Sequence, residues 1–183
     1  MPHNHTKAGA PLLVLPSDGP RAESRKARLD FAYYVPFGLT AISNKIARSA
    51  SRVYLKLHGV GINEWRIVAN LRVRPGITAN LICQTSGLDK AAVSRSLRLL
   101  ESHGYIEADR DVADTRGRNL RLTAKGDVLH DDLIVVALAR EEELLHGFTE
   151  AERRQLLSFI TRMHANVNLV SDVTGPPSDN DKA

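Results

Sequence analysis

The sequence predicts a mainly α chain with one short β-hairpin, an α+β winged helix extended at both ends by long helices. Three observations lead there. Within residues 78–104 two short helical patterns are separated by a glycine-containing turn. Behind them, residues 105–109 and 119–123 alternate apolar and polar side chains, as half-buried strands do. On either side, residues 36–57 and 124–169 carry apolar side chains mainly at three- and four-residue steps, the period of a helix face.

Residues 1–20, rich in Pro, Gly, His, Asn and Ser, read as a flexible tail, and 21–35 as a basic extension. Pro36 suits the first position of a helix, where its missing N–H costs nothing. Leu39, Ile42, Ile46, Val53 and Leu57 then predict one helix over 36–57, ended by Gly59 and Gly61. Asn63 is the expected cap of a second helix over 64–72, with Trp65, Val68 and Leu71 inward and an Ile62–Ile67 staple. Pro75-Gly76 turns the chain into the next motif.

Thr78 is placed to cap a helix over 79–85, with Ile82 and Cys83 inward. Gly87 accepts the left-handed conformation of a helix end. Asp89 caps the second helix, 90–103, whose buried stripe is Val93, Leu97 and Leu100. Lys90, Ala91, Ala92, Ser94, Arg95 and Arg98 remain for the outer side: small residues that admit close approach, then a hydroxyl and cations suited to base edges and phosphates. This pattern predicts a helix-turn-helix whose second helix enters the major groove of double-stranded DNA.

The hairpin that follows forms a wing. Its loop carries Arg116 and Arg118, either of which suits a narrow minor groove, and Asp114, whose expected role is to hold a neighbouring arginine. Val128, Leu129, Leu133, Val136, Ala137 and Leu144 give the helix over 124–146 an apolar face. Thr149 and Glu152 form a capping box for a last helix reaching Val167. The long helices are too apolar for a monomer with so small a core, which predicts a homodimer. The expected organisation is a tail over 1–20, a basic extension over 21–35, one domain over 36–170 and a disordered tail over 171–183. Within that domain lie the helix-turn-helix 78–104, the wing 105–123 and the dimerisation helices 36–57 and 124–169.

Residues 61–126 resemble the winged helix of the MarR (multiple-antibiotic-resistance regulator) family. The segments GLDKAAVSR, LESHGYIE, the DTR of the wing and LTAKG carry the likeness, and it extends over about residues 36–169. Leu81 departs from it, where a polar residue is more usual. The resemblance implies an obligate homodimer that binds near-palindromic operators and represses, releasing DNA when a small molecule or oxidant acts. It also implies an effector pocket between the first long helix, the Trp65 helix and the helix after the wing. Candidate lining residues are Ser43, Ile46, Arg48, Trp65 and Arg66, which suit an aromatic carboxylate or its coenzyme A thioester.

Charge is distributed unevenly. Residues 21–56 hold eight Lys/Arg against two Asp/Glu, whereas residues 126–183 hold five against eleven, so one end of the chain suits a polyanion and the other does not. No apolar run suits a membrane span or a signal peptide, and the single cysteine, Cys83, fits a reducing cytoplasm. Its inward place argues for a small core residue over a peroxide switch. The histidines lack metal-ligand spacing, and neither a phosphate loop nor a nucleophile elbow occurs, so no metal, cofactor or enzyme activity is expected. The competing readings are a winged-helix module that binds protein instead of DNA, and a regulator that senses an oxidant or a metal.

Overall fold

The computed structural model describes residues 31, 33–108 and 118–171. Their elements run α1 (Val35–His58), α2 (Ile62–Val73), α3 (Ala79–Ser86), α4 (Lys90–Ser102), β1 (Ile106–Ala108), β2 (Leu120–Leu122), α5 (Ala124–Leu144), α6 (Glu150–Ala165) and α7 (Val167–Ser171). The chain divides into two compact units, residues 1–133 and 134–183. The N-terminal tail, most of the basic extension, the wing tip with Asp114 and Arg116, and the C-terminal tail lie outside the described residues.

In the first unit, α2, α3, α4 and the hairpin enclose the core. Ile67, Leu71, Ile82, Leu100, Leu129 and Leu133 are fully buried. Each such side chain contributes about 1.5–3 kcal/mol by leaving water. The hairpin is antiparallel with Ile106 opposite Leu122, Glu107 opposite Arg121 and Ala108 opposite Leu120. Sequence alternation does not reveal its third partner. Ile77 bridges to Leu120, whose N–H donates to the Ile77 carbonyl at 3.0 Å while the Gly76 N–H donates to the Leu120 carbonyl at 2.8 Å. A single-residue bridge is too short to leave a period-two pattern.

The LTAKG segment closes this unit. Thr123 Oγ1 donates to the Gly104 carbonyl at 2.6 Å and accepts from the Gly126 N–H at 3.1 Å, tying the end of α4 to the start of α5. Gly126 is required by space: a Cβ there would stand 2.0 Å from the Tyr105 carbonyl oxygen. Lys125 donates to the His103 carbonyl and lies 4.8 Å from the centre of the Tyr105 ring.

Several expectations need correction. Helix α2 begins at Ile62, so Asn63 is not its cap. Glu64 accepts the Gly61 N–H at 2.8 Å and Ser51 accepts the Ile62 N–H at 3.1 Å, which satisfies the first amides two residues earlier than expected. Ile62 therefore lies inside the helix and cannot staple from outside it. Pro36 takes the second helical position, since α1 starts at Val35. The buried side of α1 is Ala50 and Tyr54, while Leu39, Ile42, Ile46 and Leu57 are exposed. On α5, Leu129 and Leu133 are buried but Val128 and Leu144 are exposed. Cys83 is half-buried, not a core residue, because the same face of α3 opens onto a groove.

In the second unit α6 starts with the expected capping box. Thr149 Oγ1 accepts the Glu152 N–H at 3.3 Å, and Glu152 accepts the Thr149 N–H at 2.7 Å. Arg153 makes a two-pronged pair with Glu142 at 2.7 and 2.8 Å, fixing α6 against the end of α5. The helix ends at Ala165 with Asn166 as its cap, so Val167 belongs to the short α7. No residue of α6 is buried.

Candidate nucleic-acid interface

Helix α3 is set by Thr78, whose hydroxyl oxygen accepts the Leu81 N–H at 3.4 Å, a long bond that leaves the hydroxyl hydrogen free to donate. Gly87 ends it at φ 67°, a conformation that costs other residues about 1 kcal/mol or more. Ser86 Oγ donates back to the Ile82 carbonyl at 2.6 Å and accepts from the Leu88 N–H, which closes the turn. The Asp89 carboxylate then accepts the Ala92 N–H at 2.7 Å and starts α4.

The inward side of α4 comprises Ala92, Val93, Ser96 and Leu100, with Leu97 half-buried. Sequence reasoning placed Ala92 on the outer side. The structure buries it to 8% exposure, because it shares a face with Val93 and Ser96, so it presents nothing to a groove. Ser96 in turn was missed: its hydroxyl gave no apolar signal, yet it packs inward against α2.

Lys90, Ala91, Ser94, Arg95 and Arg98 are exposed. Among the described residues, no carboxylate pairs with Lys90, Arg95 or Arg98. Lys90, Ser94 and Arg98 follow one another at four-residue steps and line a groove of about 590 Å³ between α3, α4 and β2. Arg118 stands on its far side, where it pairs with Glu101 of α4 at 3.5 Å. Arg118 is thus anchored at the foot of the wing, beside β2, and not at its tip. Arg95 lies outside the groove, on the adjoining exposed surface of α4. Chemically, this surface offers exposed cations, a hydroxyl and a small residue near the helix start, a set suited to binding phosphates and reading base edges.

The five candidate effector residues are spread over α1 and α2. Ser43, Ile46 and Arg48 are exposed on α1, and Arg48 Nε donates to the Asn44 carbonyl of its own helix at 3.4 Å. Trp65 is half-buried, stacked on His130 at 5.7 Å and tilted against Tyr54 at 6.0 Å. Arg66, next to it, is also half-buried. Neither the groove beside α4 nor a smaller one of about 340 Å³ between α5 and α6 is lined by any of them. Tyr54 and His130 were missed as partners of Trp65, since nothing in the spacing of three distant residues brings them together. His130 also bonds Asp131 at 3.0 Å. That bond, with Arg72 nearby, holds the Asp131 carboxyl below its ordinary value.

No described helix is long and apolar enough to cross a membrane. A family model described as MarR family matches residues 58–117, the stretch from the end of α1 to the wing. A MarR/EmrR family transcriptional regulator from Acinetobacter sp. ADP1 is similar at 32% identity and a TM-score of 0.69, over 74% of this chain and 95% of that one. A MarR-family transcriptional regulator from Silicibacter pomeroyi shares the fold at 23% identity and a TM-score of 0.65, over 73% of this chain and 90% of that one. The S. aureus MepR–DNA complex shares it at 24% and 0.62, over 73% and 96%. With its helix-turn-helix, its two-stranded hairpin and this match across nearly the whole of the Acinetobacter protein, the chain belongs to the MarR family of transcriptional regulators.

Proposed function

We propose that this chain is a homodimeric DNA-binding repressor whose α4 enters the major groove of a pseudo-palindromic operator and whose grip is released by a small-molecule effector. The observation that carries the DNA-binding part is the outer surface of α4. There Lys90, Arg95 and Arg98 are exposed with no described carboxylate to neutralise them, although acids are plentiful elsewhere in the chain. An unpaired cationic surface on a capped helix is suited to release counterions from a duplex. Arg116, from the wing, adds a contact to the neighbouring minor groove, with Asp114 steadying it. The MepR structure, solved with DNA on the same fold, supports this reading.

The homodimer is supported by the apolar surfaces that a single chain leaves in water. Leu39, Ile42 and Ile46 of α1 and Leu157, Phe159 and Ile160 of α6 are all at least 36% exposed. Helix α1 carries four Lys/Arg and no Asp/Glu, whereas α5 and α6 are rich in glutamate, so two copies can meet with opposite charge as well as apolar surface. In such a dimer two copies of α4 lie about 34–36 Å apart, one turn of DNA. For the effector, the cations Arg48 and Arg66 and the aromatic Trp65 are the residue types that suit an aromatic acid or its coenzyme A thioester, bound where a partner helix completes the site. The single cysteine suits the reducing cytoplasm, where such an operator is found.

Fluorescence anisotropy on the duplex upstream of its own coding region tests this, run with and without a panel of aromatic acids and their thioesters. Tight, salt-dependent binding that one compound reverses is expected. Binding no tighter than to scrambled DNA would instead favour a protein-binding winged helix.

A further inference from the structure

Ser96 is buried to 3% exposure, and it lies on α4 itself. Its hydroxyl donates to Glu64 Oε1 at 2.5 Å. The other oxygen of that carboxylate accepts the Gly61 N–H at 2.8 Å. The next amide, Ile62 N–H, donates to Ser51 Oγ of α1 at 3.1 Å. Glu64 is therefore held at the first turn of α2, and that turn is itself fixed to α1.

The apolar neighbours of Ser96 cannot do what this bond does. Val93 and Leu100 bury α4, but apolar contact is non-directional and tolerates a small turn of the helix about its axis. A hydrogen bond from the buried side to a fixed carboxylate defines that angle. Ser94 and Arg95 directly precede Ser96, so their directions follow from it. A turn of about 20° moves the outer surface of a helix by about 2 Å, beyond the roughly 0.5 Å tolerance of a productive contact.

We propose that Ser96 and Glu64 are positioning residues that set the rotation of α4, and so decide how well Arg95 and Ser94 tell one DNA sequence from another. The proposal rests on the reading of α4 as a DNA-contacting helix. A loss of directional order, as opposed to a loss of charge, should spare binding that reads only phosphates.

The test compares wild type, Ser96→Ala, Glu64→Gln, Glu64→Ala and the double variant Glu64→Ala/Ser96→Ala. Affinity for the upstream duplex and for a scrambled duplex of equal length is measured at a temperature where every protein is folded by circular dichroism. Ser96→Ala should weaken the upstream complex at least tenfold and the scrambled complex less than twofold. Glu64→Gln should stay within threefold of wild type on both, because its amide oxygen still accepts from Gly61 and its NH₂ can donate to the Ser96 oxygen. The double variant should be no worse than either alanine variant, as members of one network are non-additive. If Ser96→Ala fails to fold, Glu64→Ala provides the same reading with the sequence of α4 intact. Retention of wild-type discrimination by both alanine variants, whatever their melting temperatures, would overturn the proposal. Wild type that does not discriminate at all would overturn the reading of α4 beneath it, and the two failures are told apart by that one comparison.

Discussion

At Gly126 the backbone of α5 passes so close to the wing that a β-carbon would stand 2.0 Å from the Tyr105 carbonyl oxygen. Neither partner is the flexible end of a side chain, so alanine must displace backbone. Gly126→Ala should cost about 3 kcal/mol of stability, at the upper end of overpacking effects, despite alanine's better helix propensity. Urea unfolding checks this, and a stabilised variant would contradict the close approach. In the sequence that glycine stands out only as part of LTAKG, and a glycine inside a helical pattern says nothing of what it approaches. The same holds for the burial of Ala92 and Ser96. Both are small, and the apolar period marks Val93 and Leu100 without deciding which small neighbours turn inward. The exposed cations were legible, because a helix that buries Val93 and Leu100 must turn Arg95 and Arg98 outward. Arg118 was legible as a wing residue but not as the partner of Glu101, since that pair joins positions seventeen residues apart and belongs to the fold.

Capping accounts for most of what the sequence reveals about the elements. Thr78, Asp89 and Thr149 each cap the helix expected of them, because a side-chain oxygen before a helix has one evident use. Asn63 misled for the same reason: it is a good cap that a better-placed carboxylate three residues after Gly61 displaced. Asp89→Ala should destabilise the protein by about 1 kcal/mol through the loss of the Ala92 N–H bond. Thermal melts with Asp89→Asn as the retained-cap control check it, and equal losses in both would contradict the capping role. On α6 the backbone and hydroxyl bonds from Thr149 hold the Glu152 carboxyl below its ordinary 4.5, and the Arg153 pair does the same for Glu142. A carboxyl depressed on folding contributes stability that is complete above its unfolded value and fades as pH falls through the folded one. The second unit should therefore lose helicity on acidification below about pH 4.5, and Glu152→Gln should flatten that dependence. Circular dichroism from pH 7 down to pH 2 measures it. A variant whose acid transition matched wild type would contradict the role given to the box.

For the whole molecule, the surface that remains apolar is as informative as the core. The sequence showed that the terminal helices carry more apolar residues than one winged helix can bury. It did not show which of them a single chain would leave outside, because a helix with several apolar stripes does not say which stripe meets its own core. Leu157, 62% exposed on a helix with no buried residue, marks a face that a second copy covers in the proposed homodimer. Leu157→Asp should convert a particle of twice 20.2 kDa into one of 20.2 kDa by light scattering, and weaken operator binding with it. A dimer that survived that change would place the interface elsewhere. Whether the outer surface of α4 reads DNA is decided by one titration. Wild type and Arg95→Ala are bound in parallel to the upstream duplex and to its scrambled counterpart at two salt concentrations. Arg95→Ala should lose about 1–3 kcal/mol on the upstream duplex and much less on the scrambled one, with the dimer intact. Equal affinity of the two proteins for the upstream duplex would contradict it.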